Sequence, residues 1–252
     1  MIRRVAALFA FLSAAPAHAL VGGAVPQPDG IGRAVVTVVG SRGNFCSGAL
    51  VAPDLVLTAA HCVPPGADYK IVDYDAKPQP QLRDLRRVAL HPQYDARGIA
   101  AHRASADIAL LQLVAPLRGR SVVSTAAPVE PIAPGQEFWV LGAGVTVRGD
   151  GSSGGQVRAA ALISTSQPGR LQIRLVDPAT GNQRPGLGAC TGDSGAPVLQ
   201  QQGSGFAVVG VVSWSTGPGN SAGCGGLTGV TPLTLYRDWI VRTARSFGAA
   251  LP

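Results

Sequence analysis

Short β-branched or apolar runs, each cut off by glycine, proline or aspartate, recur along most of this chain. Residues 34–39 read Ala-Val-Val-Thr-Val-Val, and residues 46–52 and 55–60 follow, separated by Pro53-Asp54. Further runs lie at 88–90, 108–113, 138–141, 157–163, 171–176, 197–199 and 206–213. Segments this short suit half-buried strands rather than helices. The 33 glycines and 20 prolines between them supply the turns. One segment breaks the pattern. Between 231 and 247, Leu233, Tyr236, Ile240 and Ala244 recur at helical spacing beside Trp239, with Arg237, Arg242 and Arg245 on a polar side. That predicts an amphipathic C-terminal helix packed on an all-β body. The proline-rich residues 116–134 read as the connection between two halves. Residues 142–155 hold six glycines and read as an exposed loop. Without a helix after it, that loop is no phosphate cradle.

Residues 1–19 look like a secretory signal peptide. Arg3 and Arg4 open it, an apolar run follows from Val5 to Ala15, and Ala17-His18-Ala19 closes it with small residues. The run is too short to span a bilayer. Cleavage after Ala19 would free the amine of Leu20, whereas cleavage after Ala17 would leave His18-Ala19 attached. The expected location is secreted or periplasmic, with no membrane anchor once the signal is gone.

Losing Arg3 and Arg4 takes the formal charge from +7 to +5. The basic residues form no dense run, and only Lys70 and Lys77 are lysines, so no nucleic-acid partner is expected. Four cysteines behind a signal peptide imply two disulfides. Three pairings are open, and spacing favours Cys46–Cys62 with Cys190–Cys224. Each such loop stabilises by roughly 3–4 kcal/mol in the chain-entropy model. No C-x-x-C pair exists, so no metal site or cofactor is expected.

Three short motifs carry chemistry. Thr58-Ala59-Ala60-His61-Cys62 puts a histidine at a strand end, and Asp107-Ile108-Ala109-Leu110 puts an acid before an apolar strand. Gly192-Asp193-Ser194-Gly195 puts a serine in a glycine-flanked turn. Each alone has an ordinary structural explanation. Together they supply a nucleophile, a base to accept its proton and a group to orient the base. The order His, Asp, Ser is that of the chymotrypsin fold. With Leu20-Val21-Gly22-Gly23, Ser213-Trp214 and Tyr236-Arg237-Asp238-Trp239-Ile240, the chain resembles the trypsin/chymotrypsin family of serine endopeptidases from Leu20 to about Phe247.

The resemblance implies two six-stranded antiparallel β-barrels and a C-terminal helix. Residues 20–252 would be the peptidase domain, with the first barrel in about 20–119 and the second in about 120–252. It implies Ser194 as nucleophile, His61 as general acid/base and Asp107 as the residue orienting His61. The N–H groups of Gly192 and Ser194 would form the oxyanion hole, and Ser213 would help hold Asp107. A Leu20 ammonium would pair with Asp193 and fix the turn carrying Ser194. Cys46–Cys62 would pin the His61 loop, and Cys190–Cys224 would brace the pocket wall. Gly188, Ala189, Ser213, Trp214, Ser215 and Gly229 would form the substrate pocket. Gly188, Ala189 and Gly229 offer no charge there, so a small or apolar P1 residue is expected. The expected partners are protein or peptide substrates and a protein inhibitor, and the expected state is a monomer.

Some positions depart from the family. Ala196 stands where a second glycine is usual, Gly142-Ala143-Gly144 lacks the family's tryptophan, and nine residues separate Trp214 from Cys224. Two other readings remain: a protease-like binding protein without turnover, and an esterase using the same three residues.

Overall fold

A computed structural model describes residues 20–73, 80–101, 103–165 and 171–251. The expected signal peptide, with its Ala17 and Ala19 cleavage sites, lies outside the described residues.

The strands run β1 (Val25–Pro26), β2 (Val35–Gly40), β3 (Phe45–Ala52), β4 (Leu55–Thr58), β5 (Tyr69–Asp73), β6 (Gln81–Leu90) and β7 (Ala109–Leu113). After the 116–134 connection come β8 (Glu137–Gly142), β9 (Arg158–Ser164), β10 (Ile173–Val176), β11 (Pro197–Gln202), β12 (Gly205–Ser215) and β13 (Thr228–Pro232). Two α-helices complete the chain, α1 (Ala96–Ala100) and α2 (Arg237–Ser246).

Two closed six-stranded antiparallel barrels result. The first closes in the order β2-β3-β4-β7-β6-β5. The second runs β9-β10-β13-β12-β11-β8 and closes through β8 on β9, with β1 paired outside β9. Closure leaves no long free edge.

Burial explains which strands were easy to read. Successive side chains of β4 and β7 point to opposite faces, and both faces are covered. Leu57 and Leu110 join the core shared between the barrels, while Val56 and Leu111 fill the first barrel's interior. Hence both strands are unbroken apolar runs. By contrast, β6 exposes most of its first eight residues, Gln81 to Val88, and spends them on Arg83, Asp84, Arg86 and Arg87.

The shared core between the barrels holds Ile108, Leu141, Val208 and Val211. It is sealed by Tyr236, which precedes α2, and by Ile240 and Ala244 of α2; of the expected helix over 231–247, Thr231 and Pro232 belong to β13 instead. The predicted helical face is therefore the buried one. His91, in the loop after β6, is buried edge-on against the Tyr236 and Trp239 rings, both 5.0 Å away. Burial depresses its basicity. It packs between the first barrel and the start of α2, with its Nδ1 accepting the Gln93 N–H at 3.2 Å.

Candidate active site

The seam between the barrels gathers the three motif residues. His61 lies in a single 3-10 turn, Ala60–Cys62, at the end of β4. A Cys46–Cys62 disulfide ties that turn to β3. Asp107 is fully buried just before β7. Its Oδ1 accepts the backbone N–H of His61 at 2.9 Å. Its Oδ2 lies 2.8 Å from His61 Nδ1 and accepts the Ser213 hydroxyl at 2.6 Å. An ionised carboxylate only accepts, so this contact puts the imidazole proton on Nδ1 and leaves Nε2 as the acceptor. Ser213 comes from β12, so the second barrel helps fix an acid of the first.

Ser194 is half-buried and lines a cavity of about 470 Å³ together with His61 and Gly192. Its turn is tightly specified. Gly192 and Gly195 have φ of 92° and 77°, a region that favours glycine. A Cβ on Gly192 would lie 2.6 Å from the Phe45 ring, and one on Gly195 would lie 2.1 Å from Thr58 Oγ1. Ala196 is absent from the left-handed residues. The family's second glycine is therefore dispensable here. The N–H groups of Gly192 and Ser194 donate to no group among the described residues.

Ser47 was not legible as a site residue. From β3 its hydroxyl donates to the Gly192 carbonyl at 2.9 Å and accepts the Ala143 N–H at 3.0 Å. Its own N–H donates to the Ser194 carbonyl at 2.8 Å. One first-barrel serine thus clamps the second-barrel turn.

Asp193 is also fully buried. Its carboxylate accepts the N–H groups of Gly144 and Cys190, each at 2.9 Å. A Cβ on Gly142 would lie 2.1 Å from Oδ1, and one on Gly144 would lie 2.6 Å from Cγ. The glycines of Gly142-Ala143-Gly144 are therefore required by the carboxylate packed against them. Burial outweighs the two backbone donors and pushes the Asp193 carboxyl up to about 7. Leu20 is fully buried in the second barrel's core, and Val21 pairs with Gly188. No ion pair joins Leu20 to Asp193. The Leu20 nitrogen is here a peptide nitrogen, since the chain continues to Met1, and an amide carries no charge.

The Cys190–Cys224 bridge is present, next to the cavity. Gly188 and Ala189 are buried, while Ser215 lines the cavity. Gly229 differs from expectation. The Trp214 indole lies flat on it, and a Cβ there would come 2.1 Å from the ring. Trp214, Gly229 and Arg174 share one sheet face, with the Arg174 guanidinium 6.0 Å from the indole centre. The opposite face carries Thr228, directly across from Ser215. Thr228 Oγ1 accepts the Ala189 N–H at 3.0 Å. Thr228, not Gly229, is the β13 residue that faces Ala189. β12 carries a register shift between Val212 and Trp214, next to this pairing.

Cys46, His61 and Cys62 place their possible ligand atoms within 4.8 Å of one another. Both sulfurs are spent in the disulfide, which removes the thiolates a metal would need.

This is the architecture of a double-β-barrel hydrolase with its site at the barrel seam. The Trypsin family model matches residues 20–240, and the chain belongs to that family of serine endopeptidases. It is 31% identical to human (Homo sapiens) kallikrein-15 over 226 residues, covering 81% of this chain and 83% of that protein. It is 30% identical to guinea-pig (Cavia porcellus) coagulation factor IX over 232 residues, covering 81% and 74% respectively. A solved structure, the atomic resolution structure of HBP, shares the fold at a TM-score of 0.69 and 24% identity. It covers 89% of this chain and 96% of that one.

Proposed function

We propose that the chain is an exported endopeptidase that cleaves peptide bonds through Ser194, His61 and Asp107 by way of an acyl-enzyme. One observation carries the reading: the three hydrogen bonds on Asp107 that orient His61, with His61 and Ser194 facing one cavity. Ser194 Oγ attacks the scissile carbonyl carbon while its proton passes to His61 Nε2. The resulting imidazolium is stabilised by Asp107 through Nδ1–H. The oxyanion forms beside the N–H groups of Gly192 and Ser194, which are free to donate; losing one such donor typically costs 10²–10³-fold. His61 then protonates the leaving amine, and water repeats the sequence on the acyl-enzyme.

Activation is the second part of the proposal. Residues 1–19 act as a signal peptide, and cleavage after Ala19 creates a Leu20 ammonium that pairs with Asp193. The uncompensated Asp193 carboxyl, raised to about 7, supports this, because a buried carboxylate needs a cation to stay charged. The product is a monomeric peptidase domain, secreted or periplasmic, open to protein substrates and a protein inhibitor. Its pocket takes small or apolar P1 residues, and the facing Ser215 and Thr228 favour the small ones.

Labelling by a fluorophosphonate tests the mechanism. The mature protein should label at Ser194 and digest casein, and Ser194→Ala should do neither while keeping its melting temperature. A Ser194→Ala protein with near-native turnover would sink the reading.

A further inference from the structure

The charge of the cavity is lopsided. Among its lining residues the ionisable groups are His61 and Arg148, with no carboxylate among them; Asp107 meets His61 from the buried side. Arg148 comes from the loop after β8, and its guanidinium reaches the opposite rim, where Nη1 donates to the Ala222 carbonyl at 3.4 Å. That is its one hydrogen bond among the described residues, and it has no acidic partner. The nearest acid in sequence is already engaged: Asp150 Oδ1 accepts both the N–H and the hydroxyl of Ser152. Four of the five guanidinium N–H donors are thus left for a ligand.

The backbone beneath Arg148 is braced although the side chain is exposed. Ser153 Oγ accepts the N–H groups of Thr146 and Val147 and donates to the Asp150 carbonyl. The Asp150 N–H closes the turn onto the Val147 carbonyl at 3.0 Å. A fork of donors on a fixed turn, in a cavity without competing acids, suits a carboxylate.

We propose that Arg148 is a specificity residue that binds an Asp or Glu side chain of the peptide close to the scissile bond. The inference rests on the protease reading above. Arg148 and Ser194 line one cavity, and an extended peptide advances at most about 3.6 Å per residue, so the acidic side chain belongs within a few residues of the cleaved bond. This selection is additional to the neutral P1 pocket. It would make the substrate class small-residue sites flanked by acid, in spite of a pocket base that carries no charge.

The test uses peptides that share a small P1 residue and differ by a single Glu or Gln, placed in turn at each flanking position. A control set carries the acid eight residues away. The mature protein should cleave the Glu peptide roughly tenfold better than its Gln partner at one near position, and show little preference in the control set. Arg148→Gln should bring that ratio to within about twofold of unity, and Arg148→Glu should invert it in favour of a Lys peptide. Binding of the same peptides to the Ser194→Ala protein, read by fluorescence anisotropy, separates the two readings. Selective binding of the Glu peptide with no hydrolysis by the native protein overturns the protease mechanism and keeps the carboxylate site. Equal treatment of Glu and Gln, or a preference that survives Arg148→Gln, overturns the carboxylate site.

Discussion

Two aspartates flank the site, both fully buried, and they are in opposite conditions. Asp107 has three donors against it: the His61 N–H, the His61 imidazole and the Ser213 hydroxyl. Asp193 has two backbone N–H groups and no cation, and burial drives it towards protonation near pH 7. The partners of Asp107 come from the turn after β4 and from β12. Asp193 is closed in by Gly142 and Gly144 with only those two backbone donors. In the proposed activation, a Leu20 ammonium would supply the charge that the Asp193 site lacks.

Asp107→Asn should give the largest effect. An amide can offer N–H to His61 Nδ1 and favour the wrong tautomer, so kcat should fall by about 10⁴-fold with the fold retained. A drop below tenfold would mean that Asp107 only packs.

Asp193→Asn should cost less and act differently. In a chain starting at Leu20 it strands a buried ammonium, at roughly 3–5 kcal/mol, lowering the active population by between about 10² and 10⁴-fold. pH sharpens the contrast. In a chain still carrying His18-Ala19, folded Asp193 holds its proton to higher pH than the unfolded chain does. The stabilisation is then fully present below about 3.8 and is lost as pH rises through about 7. That is a loss of roughly 4 kcal/mol, readable in denaturant midpoints. The chain starting at Leu20 should lack this decline. Its amine, near 7.7–8.0 when free, is raised by the pair, so its contribution persists at neutral pH and disappears only as pH passes the raised value. Identical pH–stability curves for the two chains would exclude the pair.

What the sequence revealed follows from locality. His61, Asp107 and Ser194 each sit in a contiguous run whose neighbours are fixed by the same turn, so a few letters carry the geometry. The helix was legible because Tyr236, Ile240 and Ala244 form one buried face. Strand β5 is buried, but Lys70 and Asp73 interrupt its short apolar run, and the charged start of β6 is largely exposed and needs no apolar pattern, so neither was read as a strand. Strand β13, Thr-Gly-Val-Thr-Pro, hides behind a glycine and a proline that usually mark turns. Ser47 was invisible for another reason: a serine inside a strand carries no signal until the other barrel's Gly192 carbonyl is placed against it.

The proposed pocket wall yields the smallest expected effect. Gly229, expected on the wall, lies under the Trp214 indole, and Thr228 lies across from Ser215. Two hydroxyl side chains then face each other where glycines would leave room for a ring. Thr228→Gly should widen the pocket and raise the cleavage ratio of Phe to Ala at P1 by about tenfold, the scale of a partly buried side chain. It also strips the Ala189 N–H of its acceptor, an expected stability loss of about 1–3 kcal/mol that could mask the gain. Ser215→Gly opens the opposite wall without removing that hydrogen bond, so it tests the same geometry separately. If neither variant moves the Phe-to-Ala ratio, the facing pair does not set the pocket's width. Were Gly229→Ala to change that ratio instead, the position under the indole would be the wall after all.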